Sequence, residues 1–205
     1  IPGIVELAKK YDATVMVDEA HAIGVFGEGG RGTCHHFGCA DDVDLIMGTF
    51  SKSFASLGGF IATDKEITNF LRHHSRSYIF TASITPASTA AALKAIDIMI
   101  EEPERQAHLW EITNYALDGF RNMGAEIGNT STPIIPLFIR DNFKTFAITR
   151  DLLEEGIFVN PVVSPAVAPQ DTLIRFSLMA THTKEQVTEA LEKIQKVFRK
   201  HGVIK

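Results

Sequence analysis

The chain has two cysteines in 205 residues, too few for a disulfide framework and in keeping with a reducing compartment, the cytoplasm. It has no surplus of positive charge. Lys and Arg total 20 against 25 Asp and Glu, for a formal net charge of −5. That balance supplies no field for nucleic acid or an anionic membrane. Uninterrupted apolar runs are also missing. The longest, residues 78–100, contains Ser, Thr and Pro and is broken by Lys94 and Asp97, so no membrane span is expected. Residues 1–13 lack the charged and apolar regions of a signal peptide. No methionine opens the chain, and residues 1–11 read as a helix already under way, as expected of part of a longer protein. Repeats and low-complexity segments are absent. What is present is 45% hydrophobic residues at a mean hydropathy of +0.05, enough to bury a core in one or two domains.

Val15-Met16-Val17-Asp18 is an apolar, β-branched run ending in a carboxylate. It reads as a buried parallel strand that delivers Asp18 to its C-terminal edge, where open α/β sheets bind ligands. A second run, Val43-Asp44-Leu45-Ile46-Met47, leads into Gly48-Thr49-Phe50-Ser51-Lys52-Ser53. The two strand ends are therefore expected to bring together an acid, the imidazole of His21, two hydroxyls and an amine. A lysine held there can form a Schiff base with an aldehyde. Asp18 could then pair with a pyridinium nitrogen and keep the ring electron-withdrawing. The pattern points to pyridoxal 5′-phosphate.

The rest of the chain alternates helix and strand. Helical spacing covers 4–11, a strand follows at 14–17, and further strands are expected at 43–47 and 58–62. Asp64 is expected to cap a helix over 64–73, and Pro86 to open a long one over 83–102. A helix at 103–123 links residues 1–105, part of a large cofactor-binding domain, to a small domain within 106–205. The small domain reads as α+β, with strands at 133–140, 156–159 and 173–178 and helices at 142–155 and 184–201.

Asp18-Glu19-Ala20-His21, the Gly-rich stretch 24–32, Gly48-Thr49-Phe50-Ser51-Lys52 and the stretch 175–183 resemble the α-oxoamine synthases. The resemblance runs over nearly the whole chain. Within that family, Thr49 to Ser53 with Gly58-Gly59-Phe60, and Tyr78-Ile79-Phe80-Thr81-Ala82-Ser83, are most similar to the serine palmitoyltransferase branch. The 8-amino-7-oxononanoate synthase and 2-amino-3-ketobutyrate CoA ligase branches stay open. The resemblance implies the C-terminal part of a fold-type I pyridoxal phosphate-dependent transferase large domain, followed by a small α+β domain. It implies decarboxylative condensation of a small amino acid with an acyl-CoA, serine with a long-chain acyl-CoA giving 3-ketodihydrosphingosine in the first branch. Such an enzyme would be a homodimer with active sites at the interface. It also implies that the Gly-rich phosphate loop and the residue stacking on the cofactor ring lie upstream of Ile1.

The same resemblance assigns roles. Lys52 is the Schiff-base lysine and Asp18 the partner of the ring nitrogen. His21 bonds the cofactor's phenolic oxygen, or else is an internal imidazole satisfied by backbone. Thr49 and Ser51 face the phosphate, although hydroxyls in turns commonly serve local hydrogen bonds. Thr81 contacts the phosphate across a dimer interface, or is a plain strand-end threonine. Arg175, opposite Ile174 and Phe176 in strand alternation, clamps the amino acid's carboxylate, a task suited to a bidentate guanidinium.

Two other motifs compete. Asp-Glu-Ala-His after an apolar strand also spells a helicase motif, but no arginine-rich finger motif follows and the chain is acidic. Cys34-His35-His36-Phe37-Gly38-Cys39 suggests zinc, yet no second, separated ligand pair exists, so no metal is expected. A non-catalytic partner subunit is the reading from another class, and the presence of Lys52 counts against it.

Overall fold

A computed structural model describes residues 1–205. The chain divides into two compact units, Ile1–Gln106 and Ala107–Lys205.

The first unit opens with α1 (Pro2–Tyr11), which Pro2 starts and Asp12 stops in the left-handed region at φ 51°. Strand β1 (Met16–Asp18) follows, then the short helix α2 (Thr33–His36) and β2 (Leu45–Thr49). Next come β3 (Gly59–Ala62), α3 (Lys65–His74), α4 (Arg76–Ile79) and α5 (Pro86–Glu101). The strands form one sheet in the order β1-β2-β3. β1 and β2 are parallel, as expected, and β3 returns antiparallel to β2. Within residues 1–205 β1 lies at the sheet edge with Met16 exposed, where the sequence predicts a buried strand. Asp64 stands at the N-cap of α3 without the expected side-chain cap, and its carbonyl alone accepts from Thr68 N–H. At α5 the cap is made: the Thr85 hydroxyl accepts from Ser88 N–H ahead of Pro86.

The second unit contains most of α6 (Glu104–Asn122), then β4 (Ile134–Phe138), α7 (Asn142–Glu154), β5 (Asn160–Val162), β6 (Leu173–Ser177) and α8 (Lys184–Lys200). Its antiparallel sheet runs β4-β6-β5. Ile135, Leu137 and Ile174 from the sheet meet Phe120 of α6, Ile148 and Leu152 of α7 and Ile194 of α8 in a dry core. Thr183 and Gln186 close a reciprocal capping box at the start of α8. The strand expected at 156–159 is displaced. Gly156 takes φ 84° and Ile157 N–H donates to Leu152 O, so these residues finish α7. Pairing begins only at Asn160, and Pro161 is tolerated because β5 is an edge strand. No helix is long and apolar enough to cross a membrane.

Candidate active site

Parallel pairing sets Asp18 opposite Met47, so the C-terminal ends of β1 and β2 lie side by side. The ladder goes one step further, with Glu19 N–H donating to Met47 O at 2.8 Å. Asp18 is exposed, and one of its carboxylate oxygens accepts from Ala20 N–H at 2.8 Å. That contact folds the Asp18–His21 segment into a turn and orients the carboxylate.

After β2 the chain turns through Lys52 and comes back into β3. Phe50 N–H donates to Gly58 O at 2.9 Å, Ser56 N–H to Phe50 O at 2.7 Å, and Ala55 N–H to Lys52 O at 3.0 Å. Beneath the turn Phe50 meets Phe54 edge-on and Phe60 at a tilt, each 5.6 Å between centroids. Ser56 Oγ donates to Ser88 O on α5 at 2.7 Å. The turn is therefore held from below and from one side, while Lys52 itself stands exposed with no carboxylate in ion-pair range. Thr49 and Ser51 hydroxyls lie 2.9 Å apart, and Thr49 Oγ1 also donates to Gly58 O at 3.1 Å.

Between Asp18 and Lys52 in sequence lies a loop anchored by Glu19. This carboxylate is 1% exposed. One oxygen accepts from Thr33 N–H and Thr33 Oγ1, both at 2.8 Å, and the other from Cys34 N–H at 2.7 Å. Burial pushes the Glu19 carboxyl up, but the bonds from Cys34 and Thr33 outweigh it and the net shift is downward. Cys34 is pushed up to about 12, first by burial and then by Glu19, which makes it an unreactive thiol. Cys39 is also buried and its thiol contacts Cys34 O at 3.6 Å. No group of three or more His, Cys, Asp or Glu side chains is placed to hold a metal.

The remaining expected residues sit elsewhere. His21 is exposed within these residues. Thr81 is exposed in a bend after α4 and belongs to no strand, so the strand-end reading falls. In the second unit Arg175 lies on the central strand β6, opposite Pro136 and Asn160, and points away from buried Ile174 and Phe176. It has no acidic partner within the chain.

The residues of the first unit suit a pyridoxal phosphate group. A carboxylate stands at the end of β1, the hydroxyl of Thr49 at the end of the neighbouring β2, and the Ser51 hydroxyl and the Lys52 amine in the turn that follows. Glu19 is the residue whose importance went unread in the sequence. Its signal was an acid directly after a strand-end acid, with Gly-Thr-Cys at a helix start downstream.

The family model for aminotransferase class I and II matches residues 2–194. Serine palmitoyltransferase of Bacteroides thetaiotaomicron is 62% identical over 97% of this chain and 50% of its own length. The 8-amino-7-oxononanoate synthase of Petrotoga mobilis is 44% identical over 100% of this chain and 52% of its own. A solved serine palmitoyltransferase from Sphingomonas wittichii superposes with a TM-score of 0.93 at 37% identity, over 98% of this chain and 51% of its own. The chain thus spans about half the length of the relatives it matches.

Proposed function

Because this chain belongs to the aminotransferase class I and II family and has the fold-type I architecture, we propose that it carries part of the active site of a pyridoxal 5′-phosphate-dependent C-acyltransferase. The observation that carries the reading is that Asp18 ends β1 opposite Met47 of the parallel strand β2, whose continuation past Thr49 turns through an exposed Lys52. The reaction joins a small amino acid to an acyl-CoA, with the CoA thiol and carbon dioxide leaving and an amino ketone remaining. Serine and a long-chain acyl-CoA are the substrates that the 62% identical relative favours.

The cofactor, when bound, supplies the electron sink for a carbanion at the amino acid's α-carbon. Lys52 would hold the cofactor, and its Nζ is the base that would take and return the α-proton. Asp18 would hold the protonated ring nitrogen, and His21 would bond the phenolic oxygen. Thr49 and Ser51 offer hydroxyls to the phosphate, joined by the partner subunit's Thr81 in a homodimer. The Arg175 guanidinium holds the amino acid's carboxylate bidentately.

Borohydride reduction of the cofactor-loaded protein, followed by peptide mapping, tests the first assignment. The pyridoxyl label is expected on Lys52, and a label on Lys65 or Lys94 would overturn it. The 8-amino-7-oxononanoate synthase reading is favoured by the 44% identical relative and is separated by substrate. Serine with long-chain acyl-CoA should be turned over well, and alanine with a pimeloyl thioester or glycine with acetyl-CoA poorly. Each methylene buried in an apolar tunnel contributes about 0.8 kcal/mol, so a flat dependence on chain length would remove the long-chain assignment.

A further inference from the structure

We propose that Glu19 is a positioning residue of this site, a buried carboxylate that holds both the Asp18–His21 turn and the loop bracing Lys52. The inference rests on the cofactor reading above and adds to it a residue that touches neither cofactor nor substrate.

Glu19 is bound at every polar group it has. Its N–H donates to Met47 O of β2, and its carbonyl accepts from Ala22 N–H at 2.8 Å and Ile23 N–H at 3.0 Å. Its carboxylate takes the three bonds from Thr33 and Cys34 at the start of α2. The backbone contacts fix the turn that carries Asp18 and His21. The side-chain contacts fix the far end of the loop. Between them, Gly24 N–H donates to Gly30 O at 2.7 Å and Gly32 N–H to Phe26 O at 2.8 Å, which doubles the loop back on itself.

Two glycines show how tight this is. A Cβ on Gly32, at φ +99°, would come within 2.9 Å of the Glu19 carboxylate carbon. A Cβ on Gly24, at φ +82°, would lie 2.6 Å from Cβ of Ser53, the residue after Lys52. The loop anchored by Glu19 therefore lies directly against the lysine turn. Gln106 Nε2 pins the same loop from the other side, donating to Val25 O at 2.7 Å and Gly27 O at 2.9 Å.

A plain structural role fits less well. Burying a carboxylate is costly unless every lone pair is matched, and a four-residue helix could be capped by a local Ser or Asp. A non-local carboxylate placed one residue after Asp18 ties α2 to the strand end itself, which a local cap would not do.

The test uses Glu19→Gln, which keeps the size but turns one acceptor into a donor facing either the Thr33 or the Cys34 N–H. In the cofactor-free protein, amide exchange at Thr33 and Cys34 should rise roughly tenfold or more. In the loaded protein the visible absorbance of the bound cofactor should change and borohydride labelling of Lys52 should fall. Turnover should drop roughly 10- to 100-fold in kcat with KM for the amino acid little changed, the mark of misplaced catalytic groups. Thr33→Val, which removes one donor of the three, should shift each readout the same way by less, and it carries the test if Glu19→Gln does not fold. Faster exchange with an unchanged spectrum, labelling and kcat would leave Glu19 purely structural and overturn the proposal. Unchanged exchange would show that the clamp does not exist. Wild-type protein that is not labelled on Lys52 at all would sink the cofactor reading instead, a result distinct from both.

Discussion

The two units of this chain solve different problems. Ala107–Lys205 is built around a dry interior, and every one of the largest fully buried side chains except Glu19 belongs to it, from Phe120 and Phe198 to Ile174 and Ile194. Ile1–Gln106 buries mostly smaller groups such as Ala20, Ala22, Cys34 and Ala92, together with Phe54, and among its side chains Glu19 is the large one with the least exposure. Its order comes from backbone and side-chain hydrogen bonds that hold turns at the strand ends. Within these residues the second unit closes its own apolar interior, whereas the first is ordered around hydrogen-bonded turns at its strand ends. The two units are therefore open to different perturbations.

The largest effect is expected from Lys52→Ala. Turnover should fall by about 10²–10⁴-fold, while the melting temperature stays within error, because the side chain is exposed and unpaired. A large drop in stability would show that the lysine turn also holds the first unit together. Next comes Phe120→Ala, at 0% exposure and edge-on to Phe176 at 5.1 Å. It should cost about 3–5 kcal/mol in denaturant unfolding of the second unit, and a cost below about 1 kcal/mol would deny that unit its tight core.

A smaller and pH-dependent effect is expected at Asp151, which joins α7 to the end of α8 through Lys200 Nζ at 2.8 Å and His201 Nε2 at 2.7 Å. Lys200 foremost, with His201, holds its carboxyl well below the usual range. The unfolded chain takes up this proton near pH 4, roughly the ordinary Asp value, and the folded chain only at lower pH. The contribution is therefore whole at neutral pH and lost as pH falls below about 4. Asp151→Asn should be less stable at pH 7 and lose less on acidification, measured by urea unfolding across pH. Equal slopes for the two proteins would remove the ion pair from the account. The smallest effect belongs to Phe143→Ser on the outer face of α7, at 86% exposure, where stability should change by less than about 0.5 kcal/mol.

Much was legible in the residue order itself. Periodicity placed the parallel pair β1 and β2, the long helices α5, α6, α7 and α8 and the face of Arg175, because alternation and helical spacing are local properties of the chain. The motif around Lys52 pointed to its cofactor for the same reason, since strand, turn and amine are contiguous. Tertiary structure decided what depends on residues far apart. Only pairing with β6 showed that the third strand of the second sheet starts at Asn160, after Gly156 has closed α7. Only the folded chain showed His21 exposed in these residues and Asp64 without its side-chain cap. Glu19 is the sharpest instance: its meaning lies in Thr33 and Cys34, which hydrogen-bond it only once the loop has folded back, and no local pattern encodes that closure.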